Sequence, residues 1–152
     1  MNRILIACAL AAVSLGAAAR PLGGGGGQYG EPIATSVSVT FTDSSSAFRP
    51  DSDTAAMLAE TPGAAMVTIS GRTSTASPSA RDEALALARA LSARRYLIAH
   101  GVSPLKIMVN FASATDYATD NSTAEGRATN QRVDIEAVYV PRATATPENF
   151  SR

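Results

Sequence analysis

Between residues 37 and 42, apolar Val37, Val39 and Phe41 alternate with Ser38, Thr40 and Thr42. A period of two predicts a strand with one buried face. The alternation breaks at SSSAFRP, and the following DSDTAAMLAE reads as a short helix closed by Thr61, Pro62 and Gly63. Ala65, Val67 and Ile69 restore the alternation as a second strand. After the polar turn GRTSTA the period becomes helical, with Leu85, Arg89, Ala93 and Leu97 four residues apart. Ser77 or Ser79 can cap this helix, Pro78 suits its first turn, and Ser79 with Asp82 approximates a capping box. His100 and Gly101, with Pro104 beyond, end it. Leu105, Ile107, Val109 and Phe111 predict a third strand, and STAEGRATN a short helix. Val133, Ile135 and Ala137 then alternate with Asp134 and Glu136 as a fourth strand.

The order β-α-β-α-β-(α)-β predicts an α+β domain of two layers. Its helices should cover one face of a mixed four-stranded sheet, with right-handed strand–helix–strand crossovers. The expected extent of this domain is residues 36–140. Residues 20–35 contain five consecutive glycines, whose ordering entropy nothing repays, and are expected to form a flexible linker. Residues 141–152 are expected to be a disordered tail. Residues 1–19 combine an early arginine, a continuous apolar run and Ala17-Ala18-Ala19, the layout of a secretory signal peptide. Leu5-Ile6-Ala7-Cys8 also resembles a lipoprotein cleavage box, but the better apolar segment follows it. Cleavage near Ala19 is the expectation, and lipid anchoring at Cys8 the alternative. No other stretch is long and apolar enough to cross a bilayer.

Thirteen basic and thirteen acidic residues balance, so no net field favours nucleic acid or an anionic membrane. The single cysteine lies in the leader and the chain has one histidine. Thiol chemistry, a metal site and a Ser/His/Asp triad therefore all lack their parts. Asp116 and Asp120 in TDYATDN lack the spacing and closing glutamate of a calcium loop. No cofactor and no catalytic activity are expected.

The element order, together with GRTST, LALARALSARRYLIAHGV and EGRATNQRVDIEAV, resembles the OmpA-like C-terminal domain shared with MotB and the peptidoglycan-associated lipoproteins. The likeness covers roughly residues 36–140. Gly71, Thr73, Leu85, Arg89, Ala90, Tyr96, Leu97, Gly101 and Val102 stand where that family has G-H-T-D, L-S-x-x-R-A and Y-L-x-x-x-G-V. Gly126, Arg127, Ala128, Asn130, Arg132 and Val133 match its G-R-A-x-N-R-R-V.

The resemblance implies a periplasmic, non-catalytic binding or scaffold module of the bacterial envelope. In the family, an aspartate takes the ammonium and a helix arginine the carboxylate of diaminopimelate in the peptidoglycan stem peptide. A guanidinium suits the second task because it binds a carboxylate with two charge-assisted hydrogen bonds. This chain keeps the arginine as Arg89, but Ser74 stands at the aspartate position, Arg72 replaces the histidine and Gln131 the first arginine of N-R-R-V. The implied pocket comprises Arg89, Ser74, Thr73, Arg72, Asp82 and Arg132, with Asp82 a candidate replacement carboxylate. Losing the charged partner should cost about 1.5–3 kcal/mol, so weak or absent stem-peptide binding is expected, with a gain from Ser74→Asp. Two alternatives stand beside this. Arg89 can be structural, donating to carbonyls of the turn below it, and the domain can be a scaffold that binds an envelope protein in a pilus, secretion or motility machine.

Overall fold

The computed structural model describes residues 30–142. The signal-peptide reading, the glycine run and the tail beyond residue 142 lie outside the described residues. The elements are β1 (Ile33–Thr40), α1 (Ser52–Leu58), β2 (Met66–Arg72), α2 (Ala80–Ala99), β3 (Ile107–Ala112), α3 (Ala124–Asn130) and β4 (Arg132–Tyr139). Single turns of 3₁₀ helix cover Thr61–Gly63 and Pro104–Lys106. The sheet order is β1-β4-β2-β3, with β4 antiparallel to both β1 and β2, and β2 parallel to β3. This is the mixed α+β sheet that the alternation predicted.

Local chemistry sets the element starts. Asp51, Ser79 and Thr123 each turn a side-chain oxygen onto a free backbone N–H of the following helix, those of Thr54, Asp82 and Gly126 respectively. Such caps satisfy donors that the helix itself leaves unpaired. Pro78 therefore lies one residue ahead of the Ser79 cap and outside the first turn, contrary to the expectation. Gly101, at φ +93°, makes the left-handed turn that ends α2.

One face of the sheet and one stripe of α2 form the core. Val67, Ile69, Val133, Ile135 and Ala137 point from the strands towards Ala90, Ala93 and Leu97 of the helix, with Phe41, Leu58 and Val102 closing the edges. The helix side is built from small residues, which brings it close to β2. A methyl placed on Gly71 would lie 2.1 Å from the carbonyl oxygen of Ala86, so glycine is the residue that this contact admits.

Two boundaries differ from the hydrophobic pattern. Strand β1 begins at Ile33, inside the stretch read as linker. Residues 33–36 are exposed, so backbone pairing to β4 makes this end a strand without any burial signal. Leu105 is 96% exposed and belongs to the 3₁₀ turn, not to β3.

Candidate functional site

An open groove of about 770 Å³ lies where the end of β1, the turn after β2 and helix α3 meet. Thr40, Phe41, Thr42 and Asp43 form one wall, Ser74 and Thr75 a second, and Ala124, Arg127, Ala128 and Gln131 the α3 side. The walls are tied together by side-chain amides and hydroxyls. Asn121 Nδ2 donates to the Ser74 carbonyl at 2.8 Å, and the Tyr117 hydroxyl donates to the carbonyl of Thr75. Asn130 accepts from the backbone N–H groups of Ala118 and Thr119 and donates to Thr119 O and Asn121 Oδ1. Gly126 fits beneath the same loop, because a methyl there would sit 1.7 Å from Asp120 O.

Arg89 lies under the groove with no solvent exposure. Its Nε donates to Ser45 O at 2.9 Å and Nη1 to Arg72 O at 3.0 Å. Nη2 donates to Gln131 Oε1 at 2.8 Å and more weakly to Thr42 O at 3.4 Å. The guanidinium also stands 5.1 Å from the centre of the Phe41 ring, a cation–π contact. Burial pushes its pKa below the ordinary arginine value, and the negative charge of Asp43 opposes that shift. An arginine remains protonated regardless, so three backbone carbonyls, an amide oxygen and an aromatic face answer one buried charge.

Gln131 completes a relay. Its oxygen accepts from Arg89, while its Nε2 donates to Asp43 Oδ1 at 2.5 Å. Asp43 sits at the exposed rim of the groove in the turn joining β1 to α1. Thr42 O accepts from Ser45 N at 3.1 Å, and Ser44 takes a left-handed φ of 57° within that turn.

The residues expected to form the pocket separate. Ser74 lines the groove and Arg89 lies beneath it. Thr73 is buried, with its hydroxyl 3.2 Å from that of Thr75. Arg72 and Arg132 do not line the groove. They alternate with the core-facing Gly71 and Val133, so they project from the opposite face of the sheet. There Arg72 Nη2 pairs with Asp116 Oδ2 at 2.9 Å, and Arg132 Nε with Asp134 at 2.9 Å, while Arg132 Nη2 donates to Asp116 O. Asp82 accepts from the Ser79 hydroxyl at the start of α2 and is absent from the groove wall. The charged and amide side chains of the groove that the implied pocket left out are Asp43, Arg127 and the bridging Gln131, the last two visible in the sequence only as motif positions. Asp43 sits in a serine-rich turn 88 residues from Gln131, with no spacing to mark it.

The lining offers one carboxylate, one guanidinium, hydroxyls and an amide. No histidine or cysteine lines it, and His100 is at the far end of α2, bonded to Tyr96 O. The arrangement suits polar, charge-matched recognition.

The OmpA family model matches residues 41–131. A protein of Brucella suis biovar 1 named as a type IV secretion system outer membrane lipoprotein is 35% identical over 107 residues, covering 69% of this chain and 62% of the relative. The chain thus spans 62% of the length of that relative. The outer membrane protein A of Bordetella avium is 37% identical over 68 residues, 45% of this chain and 35% of that protein. Among solved structures, the OmpA-like domain of FopA1 from Francisella tularensis aligns with a TM-score of 0.57 at 18% identity, covering 76% of this chain and 82% of that one. The peptidoglycan-associated lipoprotein of Burkholderia pseudomallei aligns at 0.55 and 24% identity, covering 66% and 88%. These likenesses share the fold described above.

Proposed function

The chain belongs to the OmpA family, and we propose that it is a non-catalytic module of the bacterial cell envelope whose groove binds the peptidoglycan stem peptide weakly. The observation that supports this reading is the groove itself. It is open, its walls carry the apolar Phe41, Ala124 and Ala128, and Ser74, Asp43 and Arg127 set polar and charged groups around them, with the family arginine beneath. The weakness follows from the same geometry. Arg89 uses its donors on Ser45, Arg72, Thr42 and Gln131, and Ser74 offers a neutral hydroxyl where a carboxylate would hold an ammonium. A neutral hydrogen bond is about half as strong as a charge-assisted one.

A second reading has a specific observation in its favour. The Brucella relatives carry the name of a type IV secretion system, which fits a scaffold that binds an envelope protein. Among the described residues no helix is long and apolar enough to cross a membrane. Attachment to the outer membrane through a partner, or through a lipid on Cys8, is compatible with this reading. Co-sedimentation of the chain with purified sacculi separates the two readings. Retention that is competed by soluble muropeptide supports the wall-binding module, and no retention favours the scaffold.

A further inference from the structure

We propose that recognition of an amino-acid zwitterion has moved to the groove rim, with Asp43 taking a free ammonium and Arg127 the neighbouring carboxylate. This rests on the stem-peptide reading above and changes which groups of this chain would do the binding.

Position 74 and Arg89 are both unsuited to the charged contacts. Ser74 carries no charge, and the Arg89 guanidinium is fully buried with its donors directed at protein oxygens. At the surface of the same groove stand one anion and one cation. Asp43 is exposed, and only its Oδ1 has a donor among the described residues, the Gln131 amide. Arg127 is exposed on α3 and uses Nη1 on Ser122 O at 2.9 Å and Asn121 O at 3.4 Å. Its Nη2 and Nε have no protein acceptor among the described residues and can reach a carboxylate. Opposite charges on two walls of one groove suit a ligand that carries both an ammonium and a carboxylate, because each charge meets its complement without burying an unpaired one.

Arg89 acquires a different task in this arrangement. It donates to Thr42 O and Ser45 O, the first and last residues of the turn that carries Asp43, and through Gln131 it reaches the Asp43 carboxylate itself. The buried arginine is therefore a positioning residue for the rim carboxylate. Its own charge is spread over the carbonyls of Ser45, Arg72 and Thr42 and the Gln131 amide, one side chain deeper than Asp43. With Oδ1 held by the Gln131 amide, Oδ2 of Asp43 has no donor among the described residues and is the oxygen offered to an ammonium.

Calorimetry with a soluble diaminopimelate muropeptide tests this. Two modified probes are used beside it, one with the free diaminopimelate amine acetylated and one with its carboxylate amidated. Native protein should lose about tenfold affinity with each modification. Asp43→Asn should bind the unmodified probe more weakly and lose its sensitivity to acetylation while keeping that to amidation. Arg127→Gln should show the reverse. A structural role for either residue would weaken all three probes alike, and that result, or an Asp43→Asn variant that behaves as native, overturns the inference while leaving the stem-peptide reading in place. Native protein that binds none of the probes overturns both. Circular dichroism on each variant confirms that the fold is retained, and a tripled readout from the milder Asp43→Glu variant, which keeps the charge, should retain the sensitivity to acetylation.

Discussion

The guanidinium of Arg89 and the side-chain amide of Gln131 meet at 2.8 Å under the groove, with the amide oxygen accepting. The family pattern has an arginine at position 131, which in this arrangement would place a second donor against the first. Glutamine supplies an acceptor on one side and, through its amide nitrogen, a donor to Asp43 on the other. Residues far apart in sequence thus form one network that runs from the buried Arg89 to the exposed Asp43.

Gln131→Leu should expose the value of that bond. The substitution keeps the volume but leaves Arg89 Nη2 with the long contact to Thr42 O alone. Leaving a buried donor unsatisfied costs about 1–3 kcal/mol, and the charge on Arg89 puts this case at the upper end or above. Urea denaturation should show a loss of that size with an unchanged slope.

Gly71→Ala should be more disruptive than its single methyl suggests. The new carbon would meet the backbone of α2 at Ala86, which cannot rotate away as a side chain can. Overpacking of this kind costs typically about 1–3 kcal/mol and occasionally more. Thermal unfolding should place the variant well below native, while Gly63→Ala, where the nearest atom is 4.0 Å away, should be tolerated.

The sequence carried the strands well where one face is buried, as at Val67, Ile69, Val133 and Ile135, because burial writes itself as alternation. It carried β1 poorly at Ile33, where only backbone pairing defines the strand, and it misplaced Leu105, an apolar residue left in solvent. The motif glycines were legible as matches but not as reasons. Gly71 and Gly126 are small because backbone carbonyls press on them. At the groove, the loss of charge at Ser74 was visible in the chain. So was the place of Arg89 on the packed stripe with Leu85, Ala93 and Leu97, and its donation to turn carbonyls, one of the two readings, is present at Arg72 O. Its link to Asp43 was not, since a hydrogen bond spanning 88 residues, between Gln131 and Asp43, leaves no periodic trace. The direction of Arg72 and Arg132 followed from strand parity, yet proximity to a motif in sequence had suggested the opposite face.

Acid should loosen the first helix only below about pH 4. Asp51 is held below its ordinary value of 3.8 by the hydrogen bond from Thr54 N, and Asp120 likewise by Ser122 N. A carboxylate with a depressed folded-state pKa stabilises the fold fully above its unfolded value and loses that contribution as pH falls through the folded one. Helicity followed from pH 6 downward should therefore stay level to about pH 4 and then decline. Asp51→Asn, which caps without titrating, should show a lower starting stability and a shallower acid decline.

Export should remove residues 1–19 and leave Arg20 at the mature N-terminus. Mass spectrometry of protein recovered from the periplasm or outer membrane decides between this and the alternative. A mature chain beginning at a lipid-modified Cys8 would make it an anchored lipoprotein, as the names of the Brucella relatives describe those proteins.

The last expectation links the two carboxylate positions. Ser74 and Asp43 line the same groove from different walls, so a carboxylate introduced by Ser74→Asp should serve the ligand ammonium that Asp43 serves in the native chain. Alone, Ser74→Asp should tighten binding of the diaminopimelate muropeptide by roughly tenfold, the gain of one charge-assisted contact. Asp43→Asn should weaken it. Combining the two should restore affinity to near that of Ser74→Asp alone, because the new group takes over the contact. Two carboxylates acting on one ammonium are expected to be non-additive, whereas independent sites add within about 0.5 kcal/mol. Calorimetry on the four proteins closes this double-mutant cycle. If Asp43→Asn weakens binding equally in both backgrounds, Asp43 acts on something other than the ammonium, and the rim and the inherited position do not share a function.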